Sequence, residues 1–245
     1  MTRACTWLPN ITKGLLFVFL SHIVSCQELY YDDDMSPPTR AALMMLDICK
    51  VNYKKVFINL ENKENLTPEF LMMNPEYTVP VLKDSNDFIV YGRHNILMYL
   101  ANKHQMTKMY PTVSSGRAIV NQRLQLNTYF IFYYEYKVVA HNTTTECFKL
   151  LCDKQRNKVL KAYNLIEINL KKSIYLASND SVTIADLSII THVTTLRELI
   201  PLDVNKHSRT IKWVNSMQNE PYMKRHNAAG AVKLANEMRE VFKAC

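Results

Sequence analysis

Thr78-Val79-Pro80-Val81-Leu82-Lys83-Asp84-Ser85-Asn86-Asp87-Phe88-Ile89-Val90-Tyr91 holds two β-prone runs, 78–82 and 88–91, around the polar turn 83–87, and it reads as a hairpin. Working back along the chain, 55–60 alternates, with Val56, Ile58 and Leu60 on one side, as a half-buried strand does. Leu29-Tyr30-Tyr31 is a first short strand, closed by the acidic turn Asp32-Asp33-Asp34. Between these two strands Ser36-Pro37-Pro38 offers a helix start, since proline is tolerated in the first turn. A helix over 38–50 then shows Ala42, Leu43, Leu46 and Cys49 at spacings of three and four. A short helix near 68–73 precedes Asn74-Pro75, and 95–104 returns to helical spacing. The order is β-α-β-α-β-β-α, in which a parallel crossover needs a helix and the hairpin adds antiparallel strands.

Beyond Tyr110-Pro111 the periodicity is helical throughout. A helix over 117–141 carries the inner stripe Val120, Leu124, Ile131 and Val138, interrupted by Asn127, and its second half is rich in aromatics, among them Phe130 and Tyr134. Val159, Tyr163, Ile166 and Leu170 mark another amphipathic helix, and Ala231, Leu234, Ala235, Met238 and Phe242 a last one. In Val182-Thr183-Ile184-Ala185-Asp186-Leu187, Thr183 is placed to cap a helix, Asp186 to return a hydrogen bond, and Val182 to staple onto Leu187.

Composition narrows the chemistry. The formal charge of +8 is spread along 245 residues rather than gathered in a basic tail, which argues for a solvated surface and against nucleic-acid binding. Four scattered glycines cannot build a phosphate-cradling loop, so nucleotide chemistry is excluded. Six cysteines form no C-x-x-C pair and the histidines no H-E-x-x-H, so no dithiol or metal site is signalled.

Residues 1–26 carry Arg3 and Lys13, no acidic residue, an apolar run over 14–24, and the small-residue end Val24-Ser25-Cys26. Such a segment reads as a signal peptide; an uncleaved extension on a cytoplasmic protein is the other reading. Its apolar run is too short for a membrane-spanning helix, so stable membrane insertion is not expected. In a secreted chain the sequons at Asn65, Asn142 and Asn179 are potential glycan acceptors.

Leu29-Tyr30-Tyr31, Ser36-Pro37-Pro38-x-Arg40, Glu69-Phe70-Leu71 and Asn74-Pro75-x-x-Thr78-Val79-Pro80-Val81-Leu82 together closely resemble insect delta- and epsilon-class glutathione S-transferases. The stretch around Ser36 and His94 is also similar to the steroid-linked noppera-bo group, though Asn127 stands where that group carries an acidic residue. The resemblance implies an α+β thioredoxin-like domain over 28–103, an all-helical domain over 110–245, a homodimer and a cytoplasmic family default. It implies glutathione as substrate, no metal, and apolar small molecules as the second ligand.

On that resemblance Ser36 is the catalytic hydroxyl, which stabilises the glutathione thiolate beside a helix N-terminus; read alone, Ser-Pro-Pro is only a helix start. Val79 and Pro80 form the cis-proline junction that pairs with the cysteinyl unit. Gly92, Arg93 and His94 take the positions that hold the γ-glutamyl end, and Asn65 and Tyr77 those that touch the glycyl end. Asn127, Phe130, Ile131 and Tyr134 line an apolar-substrate pocket on this reading, or else pack between helices. Gly92 and Arg93 replace the family's acidic residue and serine, so the glutathione pocket departs from the pattern there. Two functions stand on these residues, a divergent transferase acting on apolar electrophiles and a non-catalytic carrier with the same fold.

Overall fold

The computed structural model describes residues 26–128 and 145–243, with only the backbone course given for 145–155 and 240–243. In chain order the elements are β1 (Gln27–Tyr31), α1 (Pro37–Ile48), β2 (Tyr53–Phe57), a 3-10 turn (Glu64–Leu66), α2 (Pro68–Met73), β3 (Val81–Lys83), β4 (Ile89–Tyr91) and α3 (Arg93–Lys103). The helices α4 (Ser114–Leu126), α5 (Thr145–Leu170), α6 (Ile184–Leu196), α7 (Ser208–Gln218), α8 (Pro221–His226) and α9 (Ala228–Lys243) follow.

The sheet runs β2-β1-β3-β4, with β1 and β2 parallel and the other neighbours antiparallel. Alternation along the strands divides the burial between the two faces. Leu29 and its partner Leu82 join a large core with Leu43, Leu46 and Leu97 of α1 and α3. Val81 points the other way and packs with Ile58 and Phe70 of α2 in a smaller cluster. The large core does not stop at the first domain, because Leu124, Ile189, Val193 and Trp213 belong to it as well.

Several boundaries differ from the sequence expectation. β2 spans Tyr53–Phe57 rather than 55–60, because its partner β1 ends at Tyr31, opposite Phe57; Leu60 is therefore exposed rather than on the inner face. β3 starts at Val81 rather than 78, after the cis Val79–Pro80 peptide, since Pro80 has no N–H to donate to a ladder. α1 ends at Ile48 rather than 50. Lys50 takes φ +55° and its N–H reaches the Asp47 carbonyl at 3.0 Å, while Val51 N–H reaches Leu46 at 3.0 Å, the double closure that usually calls for glycine. α3 begins at Arg93, two residues earlier than expected, and α4 at Ser114.

In the helical part, Val159, Tyr163, Ile166 and Leu170 are all buried on α5, and Ala231, Ala235 and Met238 on α9. Asp186 closes the α6 cap: its Oδ2 accepts from Thr183 N–H (2.9 Å) and from the Thr183 hydroxyl (2.6 Å). Its Oδ1 accepts from Leu176 N–H and Trp213 Nε1, both at 2.9 Å, so one buried carboxylate ties α7 and the 176 loop to the start of α6. Burial pushes the Asp186 carboxyl up, and these four donors pull against it. Glu167 of α5 does similar work at α7, accepting from Arg209 and Thr210 N–H and the Thr210 hydroxyl.

Candidate functional site

The strand register gathers three chain ends. Tyr30, near the C-terminal end of β1, faces Val81 at the start of β3, and Val81 faces Tyr91 at the end of β4. The segments that carry Ser36, Val79–Pro80 and Gly92–Arg93 therefore leave or enter the sheet at one end. The helices α1 and α3 both begin there.

Ser36 is the N-cap of α1, with φ −58° and ψ 121°, and its hydroxyl makes no capping bond. An N-cap oxygen normally accepts from the second or third helical N–H. Here Pro38 removes the second of those donors, and the half-buried hydroxyl makes no bond to the third, so it is not consumed by the helix. The first turn of α1 holds no acidic residue of its own, although Asp32 Oδ1 accepts from the Thr39 hydroxyl in that turn at 3.4 Å, so the positive end of the helix dipole is only partly offset. A hydroxyl and a dipole so placed suit a bound anion such as a thiolate.

The loop into β3 is organised by Asn74, which the sequence motif contains but whose part only the structure shows. Fully buried, it donates from Nδ2 to the Thr78 carbonyl (2.7 Å) and hydroxyl (3.1 Å), and it accepts Glu76 N–H at 2.9 Å. This holds the backbone that leads into the cis Val79–Pro80 peptide, after which Val79 and Pro80 sit half-buried and buried. Asn65 and Tyr77 also come together: Asn65 Nδ2 donates to the Tyr77 carbonyl at 2.8 Å, and Tyr77, at φ +49°, leaves its ring largely exposed.

At the start of α3 the arrangement is different. Gly92 has φ +80°, and a Cβ there would lie 3.2 Å from Asn95 Nδ2, so any other side chain is strained at this position. Arg93 Nε donates to His94 Nε2 at 3.2 Å, and the same ring nitrogen lies 2.8 Å from Ser188 Oγ on α6. Asn127, fully buried just past α4, donates to Ser188 Oγ (2.6 Å) and to the Ser188 carbonyl (3.1 Å). Since Ser188 Oγ accepts from Asn127, its own O–H donates to His94 Nε2, which Arg93 Nε also uses as an acceptor, and this assigns the imidazole proton to Nδ1. Burial first, then the charge of Arg93 and then His192, bring the His94 pKa down to about 3, so the ring is neutral at ordinary pH. Asn127 Oδ1 is buried with no hydrogen-bond partner.

Ser188, Asn74 and Arg40 escaped the sequence reading as site-shaping residues. Of the expected pocket residues, Phe130, Ile131 and Tyr134 lie outside the described residues. Among the described residues no group of histidine, cysteine, aspartate or glutamate side chains could hold a metal ion, and no helix is long and apolar enough to cross a membrane.

Comparison with known proteins meets this geometry. Residues 35–103 match the family model described as the N-terminal domain of glutathione S-transferase. The chain is similar to glutathione S-transferase 1 of Manduca sexta, with 32% identity over 82% of this chain and 92% of that protein. It is also similar in structure to an epsilon-class glutathione S-transferase from the housefly Musca domestica, at 31% identity and a TM-score of 0.77, covering 88% of this chain and 98% of that one. A glutathione transferase homologue from Drosophila mojavensis, solved with bound glutathione, has a TM-score of 0.71 at 29% identity, over 88% and 97% of the two chains. With 32% identity over nearly the whole of the Manduca sexta relative, and with the site's three chain ends gathered at one edge of the same fold, the chain belongs to the glutathione S-transferase family.

Proposed function

We propose that this glutathione transferase activates glutathione through Ser36 and conjugates it to apolar electrophiles. The thiolate attacks the electrophilic carbon and forms a thioether as the leaving group departs with the bonding electrons. The observation that carries this reading is the Ser36 hydroxyl, which stands at a helix N-terminus and makes no bond to the helix that it starts. A hydrogen bond to the sulfur anion and the α1 dipole both favour the thiolate over the thiol.

The backbone of Val79, before Pro80, pairs with the cysteinyl unit on this reading, while Asn65 and Tyr77 adjoin the glycyl end. Gly92 offers no carboxylate for the γ-glutamyl ammonium, and the neighbouring Arg93 and His94 bring no acidic group either. Glutathione therefore binds more weakly than in a pocket with a carboxylate at position 92, by the order of 2–5 kcal/mol that a truncated buried charge pair costs. Phe130, Ile131 and Tyr134 form the apolar-substrate side on this reading; Asn127, expected among them, is fully buried against Ser188 and does not line it. On this reading the enzyme works as a homodimer, and the segment 1–26 is either a signal peptide for secretion or an uncleaved extension on a cytoplasmic protein.

A thiol-conjugation assay with a generic aromatic electrophile tests the proposal. Turnover that falls sharply in Ser36→Ala supports it. Equal rates for the variant and the parent remove Ser36 from the mechanism, and no turnover by the parent favours a carrier of apolar ligands.

A further inference from the structure

The segment between β1 and α1 carries Ser36, and its backbone is held from both sides. Met35 N–H donates to Asp33 Oδ1 at 2.7 Å, and the Met35 carbonyl accepts from Arg40 Nε at 2.9 Å. The Ser36 carbonyl accepts the Arg40 backbone N–H at 2.9 Å. One residue thus touches the carbonyls on both sides of the Ser36 amino-acid unit. The Arg40 side chain is completely buried, and its remaining nitrogens reach into the helical domain, Nη2 to Thr195 Oγ1 of α6 (2.7 Å) and Nη1 to Asn227 Oδ1 (2.5 Å). Asn227 is itself set by a bond from its Nδ2 to Thr194 Oγ1 at 3.0 Å.

A second contact converges on the same segment. Gly230 of α9 lies so close that a Cβ there would come 2.5 Å from the Asp34 carbonyl oxygen, 2.9 Å from Arg40 Cδ and 3.3 Å from Met35 Cα. The nearest atom is backbone, so it cannot swing aside; the Asp34–Met35 peptides would have to move. A buried guanidinium is a poor way to gain stability alone, because apolar residues of similar volume often serve as well. Directing its donors at the peptide beside a reactive hydroxyl is a use that packing alone does not require.

We propose that Arg40 and Gly230 are positioning residues for Ser36, through which the helical domain sets the aim of the hydroxyl at the bound thiolate. This rests on the reading of Ser36 as the thiolate's hydrogen-bond donor. A hydrogen bond weakens steeply with distance and angle, so a displacement of a few tenths of an ångström to about 1 Å in this segment is felt in the thiolate.

The test follows the thiolate absorbance of enzyme-bound glutathione against pH in the full chain, together with kcat, the half-saturating electrophile concentration and Tm. The variants are Gly230→Ala, Arg40→Lys, Ser36→Ala and the double variant Ser36→Ala/Gly230→Ala. Gly230→Ala and Arg40→Lys should each raise the thiolate midpoint by about half a pH unit or more and lower kcat roughly three- to tenfold, with the half-saturating electrophile concentration unchanged. Once Ser36 is alanine, Gly230→Ala should add no further shift. If the two shifts instead add, or if the midpoint stays put in Gly230→Ala while Ser36→Ala raises it, the positioning role is wrong and the role of Ser36 stands. A midpoint unmoved by Ser36→Ala sinks the Ser36 reading itself, and the positioning role with it. Thr195→Val, which removes one acceptor of Arg40 without adding bulk, covers the case in which the larger changes do not fold; it should raise the midpoint by a smaller amount, and no rise there also overturns the proposal.

Discussion

Two helix N-termini open at the same end of the sheet, and they are put to different uses. At α1 the cap residue Ser36 keeps its hydroxyl off the helix, Pro38 removes one competing N–H donor, and the first turn holds no acidic residue of its own. At α3 the cap is Gly92, the first helical residue is the cation Arg93, and the polar groups turn inward to Ser188 and Asn127. The first end is left open for an anion; the second serves as a joint between the domains. Glutathione needs both ends of its site, so the comparison locates where this family member has changed. On the proposed reading of the site the thiol end is kept, while His94 at the γ-glutamyl end bonds Ser188 and holds α3 against α6.

The sharpest way to break that contrast is Ser36→Ala. Loss of a thiolate hydrogen bond worth about 1.5–3 kcal/mol should lower conjugation roughly ten- to a hundredfold. Because the hydroxyl makes no capping bond, Tm should hardly move. A large fall in Tm, read by calorimetry, would mean that Ser36 supports the helix after all.

A second test rebuilds the other end. Gly92→Glu with Arg93→Ser supplies a carboxylate for the glutathione ammonium, a pairing of the order of 2–5 kcal/mol. Strain from a side chain at φ +80° takes back about 1–3 kcal/mol. Titration calorimetry should therefore show a net tightening of about 1–2 kcal/mol, some five- to thirtyfold, accompanied by a lower Tm. Tight binding by the parent, unimproved in the double variant, would show that other residues already hold the γ-glutamyl end.

The smallest effect is expected at the joint itself. With its folded pKa brought down to about 3 from 6.5, His94 is less readily protonated in the folded chain than in the unfolded one. The unfolded state then binds more protons between these values, so stability is lost as pH falls from about 6.5 toward 3. Asp84 adds to acid sensitivity lower down. Burial pushes its carboxyl up, but Lys103, Tyr99 and the Ser85 N–H, all donating to it, outweigh that and hold it well below the usual range. The stability that it contributes is present above its unfolded value of 3.8 and fades as pH drops below it. His94→Gln, followed by denaturant melts at several pH values, should cost about 1 kcal/mol at neutral pH and flatten the slope between pH 6.5 and 4 while leaving the steeper fall below 4. An unchanged slope in that upper window would mean that the ring titrates normally.

Much of this was legible in the chain. The hairpin at 78–91, the amphipathic spacing on α1 and α5, and the Thr183–Asp186 cap all rest on contacts within a few residues or within one element, and each formed close to its expected place. Ser36 at a helix start was equally local. The early end of β2 was not, because strand length depends on the partner: β1 runs out at Tyr31, and Leu60 is left exposed. The turn-out of α1 at Lys50 hid for a different reason, since a lysine at φ +55° carries none of the glycine signal that usually marks such an end.

By itself, then, the sequence determined the order of strands and helices in the sheet domain, the inner faces of several helices and the hydroxyl at the start of α1, because periodicity and capping are written in neighbouring residues; the helices at Ser208–Gln218 and Pro221–His226 were not read from it. Which side chains guard that hydroxyl was decided only by the tertiary structure. Arg40 meets Thr195 and Asn227 across 155 and 187 positions of chain, His94 meets Ser188 across 94, and no local pattern encodes such pairs. They exist because a single core joins the sheet domain to the helical one, and its packing sets buried donors opposite distant acceptors that would otherwise stand unsatisfied.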